Sequence, residues 1–254
     1  MFSRLKHALR LSRKAAARPR RDHRLSPGVA ALEARSLLST IPSINNGANL
    51  YVTELYQDLL RRSPTAGELS YNVTALQNGE AVEDLAHKLA TSSERKAVEV
   101  VFFYQNYLNR NPDLGGLVYQ LDLLKNGVSP VSVQLGLIDS PEFQRAHVTN
   151  KSYVDAMYND VLGRAPDPAG EFAYISLLDT KASTRKDVAV NFFNSQEYAT
   201  RVINSDFNLV LHRSAEPGAV SYWTPNLRAT SKDGDLLVAL FASNENFNNL
   251  RKLS

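Results

Sequence analysis

The stretch Tyr153-Val-Asp-Ala-Met-Tyr-Asn-Asp-Val-Leu-Gly-Arg164-Ala-Pro-Asp-Pro-Ala-Gly170 holds, in order, a helical face, a stop and a new start. Tyr153, Val154, Met157, Tyr158, Val161 and Leu162 fall in adjacent pairs every four residues. That spacing lays one broad apolar stripe along an α-helix and does not fit the two-residue alternation of a strand. Pro166 disfavours helical geometry in the residue before it and so ends the helix. Asp167 followed by Pro168 then places a cap, and a proline at the first helical position, at the head of a second helix.

The same phrase returns as Arg62-Ser-Pro64-Thr65-Ala-Gly67, as Arg110-Asn-Pro112-Asp113-Leu-Gly115 and, degraded, as Arg213-Ser-Ala-Glu-Pro-Gly218. The arginines step by 110 − 62 = 48, 164 − 110 = 54 and 213 − 164 = 49 residues. A serine near an acid, at Ser92, Ser140, Ser195 and Ser243, keeps the same time with steps of 48, 55 and 48. Two markers in one register mean a duplicated supersecondary unit. The expected architecture is all-α: four related repeats of about 50 residues, each roughly three helices, over 46–97, 98–147, 148–198 and a degenerate 199–254, behind a flexible leader over 1–45. Departures in the outer units read as the solvent-facing ends of an array.

Within a unit, the arginine closes the first helix, where its charge suits the negative end of the dipole. Asp58, Asn106 and Asp160 lie four residues before Arg62, Arg110 and Arg164, within reach on one helical face. Thr65 with Glu68 forms a capping box, and Asp113 caps the helix ahead of Tyr119. The second helices carry Leu69, Tyr71 and Leu76; Tyr119, Leu123 and Leu124; Tyr174, Leu177 and Leu178; and Tyr222, Trp223 and Leu227. An aromatic stripe at this spacing reads as packing. Asn78-Gly79 and Asn126-Gly127 end the first two of these helices in left-handed geometry. Third helices follow through Val82, Leu85 and Leu89 and their counterparts.

At these residues the chain resembles the bacterial family known as domain of unknown function 4214. Its pattern runs from a tyrosine-rich helix through Arg-x-Pro-Asp, a glycine and Tyr-Trp to a final Ser-x-Glu-Phe. Arg164-Ala-Pro-Asp167, Gly170, Tyr174 and Ser195-Gln-Glu197-Tyr198 match it, as do Arg110-Asn-Pro-Asp113, Tyr119, Gly127 and Ser140-Pro-Glu142-Phe143. The first unit has Thr65 for the acid; the fourth keeps Tyr222-Trp223 but loses the Arg-x-Pro order. The resemblance implies a fold similar to the all-helical linker domain of phycobilisomes and a place in exported or surface proteins; an enzymatic activity is not among the things it implies.

The chain has 254 residues, no cysteine and a net charge of +3, which averages two unlike regions. Residues 1–40 carry ten Lys or Arg against two acids, 10 − 2 = +8, leaving 19 − 24 = −5 for the remainder. Thiol catalysis and thiolate metal sites are excluded, and no apolar run approaches the roughly 18 residues of a membrane span. Within the leader, Ala31-Leu32-Glu33-Ala34-Arg35-Ser36-Leu37-Leu38-Ser39 resembles the LEPR-x-LL segment found ahead of large exported proteins of bacteria with elaborate envelopes, with Ala34 in the place of its proline. Nucleic-acid binding by the leader ranks lower, because no aromatic residue lies among its arginines to stack on bases.

No cofactor and no metal site is expected. His7, His23, His87, His147 and His212 are not spaced as ligand pairs, and the chain has no nucleophile elbow, HExxH or phosphate-binding glycine loop. One carboxylate per turn, at Asp113 and Asp167, falls short of the six to eight oxygens calcium takes, and Lys232-Asp-Gly-Asp235 stops after two acids. The expected function is therefore a non-catalytic structural or protein-interaction module of the bacterial cell envelope or exterior. Its partners would be other envelope or surface proteins, or polysaccharide. Two alternatives stand beside it: a hydrolase of envelope polymers with carboxylates in a groove between repeats, and an intracellular scaffold binding nucleic acid through the leader.

Overall fold

The computed structural model describes residues 44–230 and 233–252, so the basic leader with its Leu32–Leu38 segment, and Lys232, lie outside the described residues. Among the described residues fourteen helices run in order: α1 (Ile44–Leu60), α2 (Ala66–Gln77), α3 (Val82–Ala90), α4 (Ser93–Leu108), α5 (Leu114–Lys125), α6 (Pro130–Ile138), α7 (Pro141–Ala146), α8 (Asn150–Ala156, continued by a π-helical turn over Met157–Leu162), α9 (Pro168–Asp179), α10 (Arg185–Phe193), α11 (Gln196–Leu211), α12 (Pro217–Thr230), α13 (Asp233–Phe241) and α14 (Asn244–Arg251). Among the described residues there is no strand, and no helix is long and apolar enough to cross a membrane.

The uneven step of 54 residues has a local cause. Ser92 to Arg110 and Ser195 to Arg213 each span 18 residues and are filled by one unbroken helix, α4 or α11; Ser140 to Arg164 spans 24. The six extra residues split that helix into α7 and α8 around His147–Thr149 and add the π-helical turn. Gly79 and Gly127 take positive φ of 104° and 84°, as their helix ends require, and Lys181 stands in that conformation in the third unit.

The core contradicts an array with two free ends. One apolar cluster joins the second and third units through Phe103, Phe143, Tyr153 and Phe192. The other joins the first unit to the fourth through Tyr51, Leu55, Leu85, Leu236 and Phe247. The outer units are thus not caps; each supplies the surface that buries the other. Helix α3 packs on α13 as α10 packs on α6.

Helix α14 stands to α1 as α7 stands to α8. Phe247 stacks on Tyr51 with ring centroids 5.4 Å apart, and Phe143 meets Tyr153 edge-on at 6.1 Å. Tyr51 Oη donates to the Val82 carbonyl at 3.1 Å, and Tyr153 Oη to the Arg185 carbonyl at 2.6 Å. The molecule therefore has two equivalent halves: α4 to α10, and α11 to α14 completed by α1 to α3.

The closure buries a carboxylate. Asn246 Nδ2 donates to Glu54 Oε2 at 3.0 Å, and burial pushes the Glu54 carboxyl up to about 7, with the nearby Asp58 adding to the rise and Asn246 opposing it. The unfolded value is about 4.3. Between the two the folded state holds the extra proton, so this group makes stability fall as pH rises from about 4 to about 7. Glu54→Gln keeps an amide oxygen for Asn246 and removes the charge. It should raise stability by on the order of 1–2 kcal/mol above pH 7 and leave it unchanged near pH 4, read from denaturation midpoints at the two pH values.

Candidate functional site

Each motif arginine follows a residue in left-handed geometry: Arg61 (φ 58°), Asn109 (51°), Gly163 (71°) and His212 (55°). Only one of the four is glycine, so the turn was hidden in the sequence. Leaving the helix this way turns the arginine from the residue four before it, and the expected contacts with Asp58, Asn106 and Asp160 do not form. The guanidinium instead forks onto a glutamate 32 or 33 residues later. Arg62 Nε and Nη2 meet Glu94 at 2.5 and 3.0 Å, Arg110 meets Glu142 at 2.6 and 2.7 Å, and Arg213 meets Glu245 at 2.5 and 2.6 Å. Arg164 holds Glu197 in the same bidentate way.

The remaining nitrogen, Nη1, donates to the next carbonyl of the turn, at Ser63, Asn111, Ala165 and Ser214. The guanidinium carbon lies 4.8 to 5.2 Å from the ring of Tyr56, Tyr104, Tyr158 or Phe207, six residues upstream. The glutamate comes from the serine marker. Ser92, Ser140, Ser195 and Ser243 each cap a helix through the N-H three residues on, which sets the acid two residues on at the helix start. The two sequence markers are the two ends of one contact. With arginine side chains 34 to 40% exposed, each pair contributes at most about 1 kcal/mol, so its effect is to fix where the turn sits.

The caps are as expected. Thr65 and Glu68 form the capping box, Asp113 Oδ1 accepts from Gly116 N-H at 2.8 Å, and Asp167 Oδ1 from Gly170 N-H at 2.9 Å. Those backbone donors hold both aspartates below their ordinary pKa, with the neighbouring arginine adding to the effect. Pro64, Pro112 and Pro166 stand in the turns just before these caps. No group of three His, Asp or Glu able to hold a metal occurs among the described residues. If Asp167 is a cap, Asp167→Ser should melt close to the wild type and Asp167→Ala distinctly lower, with no response to millimolar calcium. A calcium-dependent rise in melting temperature that serine abolishes would reassign the residue to a metal.

The second helices depart from expectation. Tyr71, Tyr119 and Tyr222 are 65, 62 and 63% exposed, each six residues after the cap position of its unit, and Phe172 is 73% exposed on the third. Trp223 is half-buried against the core shared by the outer units, with Tyr222 edge-on to it at 5.2 Å. A signal was present: Tyr71 stands two residues from Leu69, and residues two apart do not share a helical face.

The structure also opens a cleft of ≈ 230 Å³ between α4 and α11, where the two halves meet. Its walls are related by the internal symmetry, because residues of α4 map onto α11 by the offset 195 − 92 = 103 between the capping serines. Val98 thus matches Arg201, Glu99 matches Val202, Phe102 matches Ser205, and Asn106 matches Leu209, each pair polar on one wall and apolar on the other. Arg95 lies 3.1 Å from Glu99 and donates through Nη1 to the Leu59 carbonyl at 3.2 Å. Arg201 Nη1 donates to the carbonyls of Asp160 and Val161 at 2.9 and 2.5 Å. Burial pushes the Glu99 carboxyl up and the Asp160 carboxyl up to about 6, against the opposing pull of Arg95 and Arg201 respectively. None of this follows from a single repeat, since the cleft exists only where two halves are brought together.

Residues 100–147 and 134–202 match the model of a family described as a domain of unknown function (DUF4214). No curated protein and no solved structure matches the chain. The matched residues span the Arg110–Glu142 and Arg164–Glu197 turns; the Arg62 and Arg213 turns lie outside them and keep the same forked ion pair. The chain carries two copies of the DUF4214 domain, over residues 100–147 and 134–202.

Proposed function

We propose that the chain is a non-catalytic interaction module of the bacterial cell envelope or exterior, which engages surface proteins or polysaccharide through the outward faces of its second helices. The observation that carries this reading is the recurrence of a largely exposed aromatic ring at Tyr71, Tyr119, Phe172 and Tyr222, one on the second helix of each unit, with Leu114, Val118 and Leu177 exposed on the same set of helices. Exposed apolar groups set on rigid elements mark contact surfaces, and aromatic rings are enriched in them. The motif arginines and acids are engaged in turns, so packing accounts for their repetition. The envelope address draws on the resemblance of Leu32–Leu38 to an exported-protein segment.

The test is a chain with Tyr71, Tyr119, Phe172 and Tyr222 all replaced by serine. It should keep its helical spectrum and melting temperature yet lose retention on envelope material prepared from the source bacterium. Unchanged retention would sink the reading.

A hydrolase reading has one observation in its favour, the presence of Glu99 and Asp160 in one cleft between units. Against it, Glu99 is bridged to Arg95, and ≈ 230 Å³ is below the roughly 300–1,000 Å³ of ordinary small-molecule sites, let alone a polymer groove.

A further inference from the structure

We propose that the pocket between α6, α7 and α10 binds a small, uncharged aromatic molecule of one ring. This stands apart from the envelope reading, since none of the exposed aromatics of the second helices lines it.

The pocket holds ≈ 300 Å³ and opens to solvent. Ile138, Tyr153 and Ala189, all buried, form its floor, and Ser132, Gly136, Asp139 and Lys186, all exposed, form its rim. An apolar cavity of about 150 Å³ already takes benzene, so a single ring fits here with room for a substituent at the rim.

The other half of the molecule shows what fills this place. The capping serines set the offset 243 − 140 = 103 between α6 with α7 and α13 with α14. By it Ile138 matches Phe241 and Gln144 matches Phe247, while Tyr153 matches Tyr51, each standing 164 − 153 = 62 − 51 = 11 residues before its motif arginine. Phe241 and Phe247 are fully buried, and Phe247 stacks on Tyr51. Gln144 brings no ring: its Nε2 donates to the Ile138 carbonyl at 2.9 Å and its Oε1 accepts from Arg185 Nη1 at 2.7 Å. Phe143, one residue earlier, meets Tyr153 edge-on and does not line the pocket. The space that two phenylalanine rings occupy in one half is thus open in the other, which is why the ligand assigned to it is an aromatic ring.

Gly136 points the same way. It stands inside α6, where glycine weakens a helix, yet a Cβ there would meet no atom within 4 Å, so packing does not require glycine. Its match in α13 is Ala239. A glycine at the rim leaves the mouth of the pocket wide. The lining carries one acid and one base, Asp139 and Lys186, so it selects neither sign of charge, and the buried floor favours an apolar body.

The test titrates benzyl alcohol into the full chain while amide and methyl resonances are followed, with benzoate and benzylammonium as the charged analogues. Saturable shifts should centre on α6 and α10, with Overhauser contacts from the ring protons to the methyl groups of Leu135 and Ile138. Neither charged analogue should bind tighter than the alcohol. Gly136→Leu, which sets a side chain into the open space, should fold and weaken binding roughly tenfold or more. Should that variant fail to fold, the Overhauser contacts decide alone. No saturable shift, ring contacts only outside the pocket, undiminished binding by folded Gly136→Leu, or a roughly tenfold preference for either charged analogue would overturn the proposal. None of these outcomes touches retention on envelope material, so the two readings fail separately.

Discussion

Phe247→Ala should lower the stability of the whole chain by about 3–5 kcal/mol, the range for emptying a buried phenylalanine site. Phe247 sits on α14, the last described helix, which an array with a free end would leave frayed. In the closed arrangement it is fully buried and stacked on Tyr51, on the far side of the sequence, so the cavity opens inside the core of both outer units. Urea unfolding followed by Trp223 fluorescence would read it, because Trp223 packs against the same cluster. A change under about 1 kcal/mol would mean that α14 is a frayed end.

Gly170→Ala should destabilise by about 3 kcal/mol, the upper part of the range for overpacking, although the same change inside an unobstructed helix stabilises by about 0.5–1 kcal/mol. The sign itself therefore decides between them. Gly170 is the third residue of α9, and a Cβ there would collide with Tyr158 Oη; at the matching Gly116 it would lie 2.6 Å from Tyr104 Oη. The chain already contains the compensated version. In the fourth unit the ring is Phe207, which has no hydroxyl, and the matching residue is Ala219. In the first unit Glu68 takes the position and Tyr56 Oη accepts from Asn72 Nδ2 at 3.1 Å. Tyr158→Phe in the same chain should accordingly recover most of the loss. If calorimetry finds the single and double variants equally unstable, the hydroxyl is not the obstacle.

These expectations show where sequence reasoning reached and where it stopped. Local signals were legible because their causes are local: the pairwise apolar stripe of Tyr153 to Leu162, the stop at Pro166 and the cap at Asp167 all act within a few residues. Both repeat markers were visible too. Their physical link was not, because the glutamates lie 32 or 33 residues from the arginines and the left-handed turn that separates them is made by Arg61, Asn109 and His212 as readily as by Gly163. Nor was the pairing of units, since it depends on which apolar face meets which. Tyr51 and Phe247 look alike in sequence whether they bury each other or not. The cleft at the symmetry axis was further still from view, since its walls come from α4 and α11, a hundred residues apart.

The contact between Tyr51 and Phe247 tests the closed pairing of units most directly. Their ring centroids lie 5.4 Å apart, although the residues are separated by almost the whole described chain. If the first and fourth units share one core, nuclear Overhauser contacts between the two rings should be observed in the dilute, monomeric protein, together with contacts from Tyr51 to Val82. Contacts from Tyr51 to Val82 without any to Phe247 would show an intact first unit with a free end, and would contradict the closure on which both the symmetry and the cleft depend.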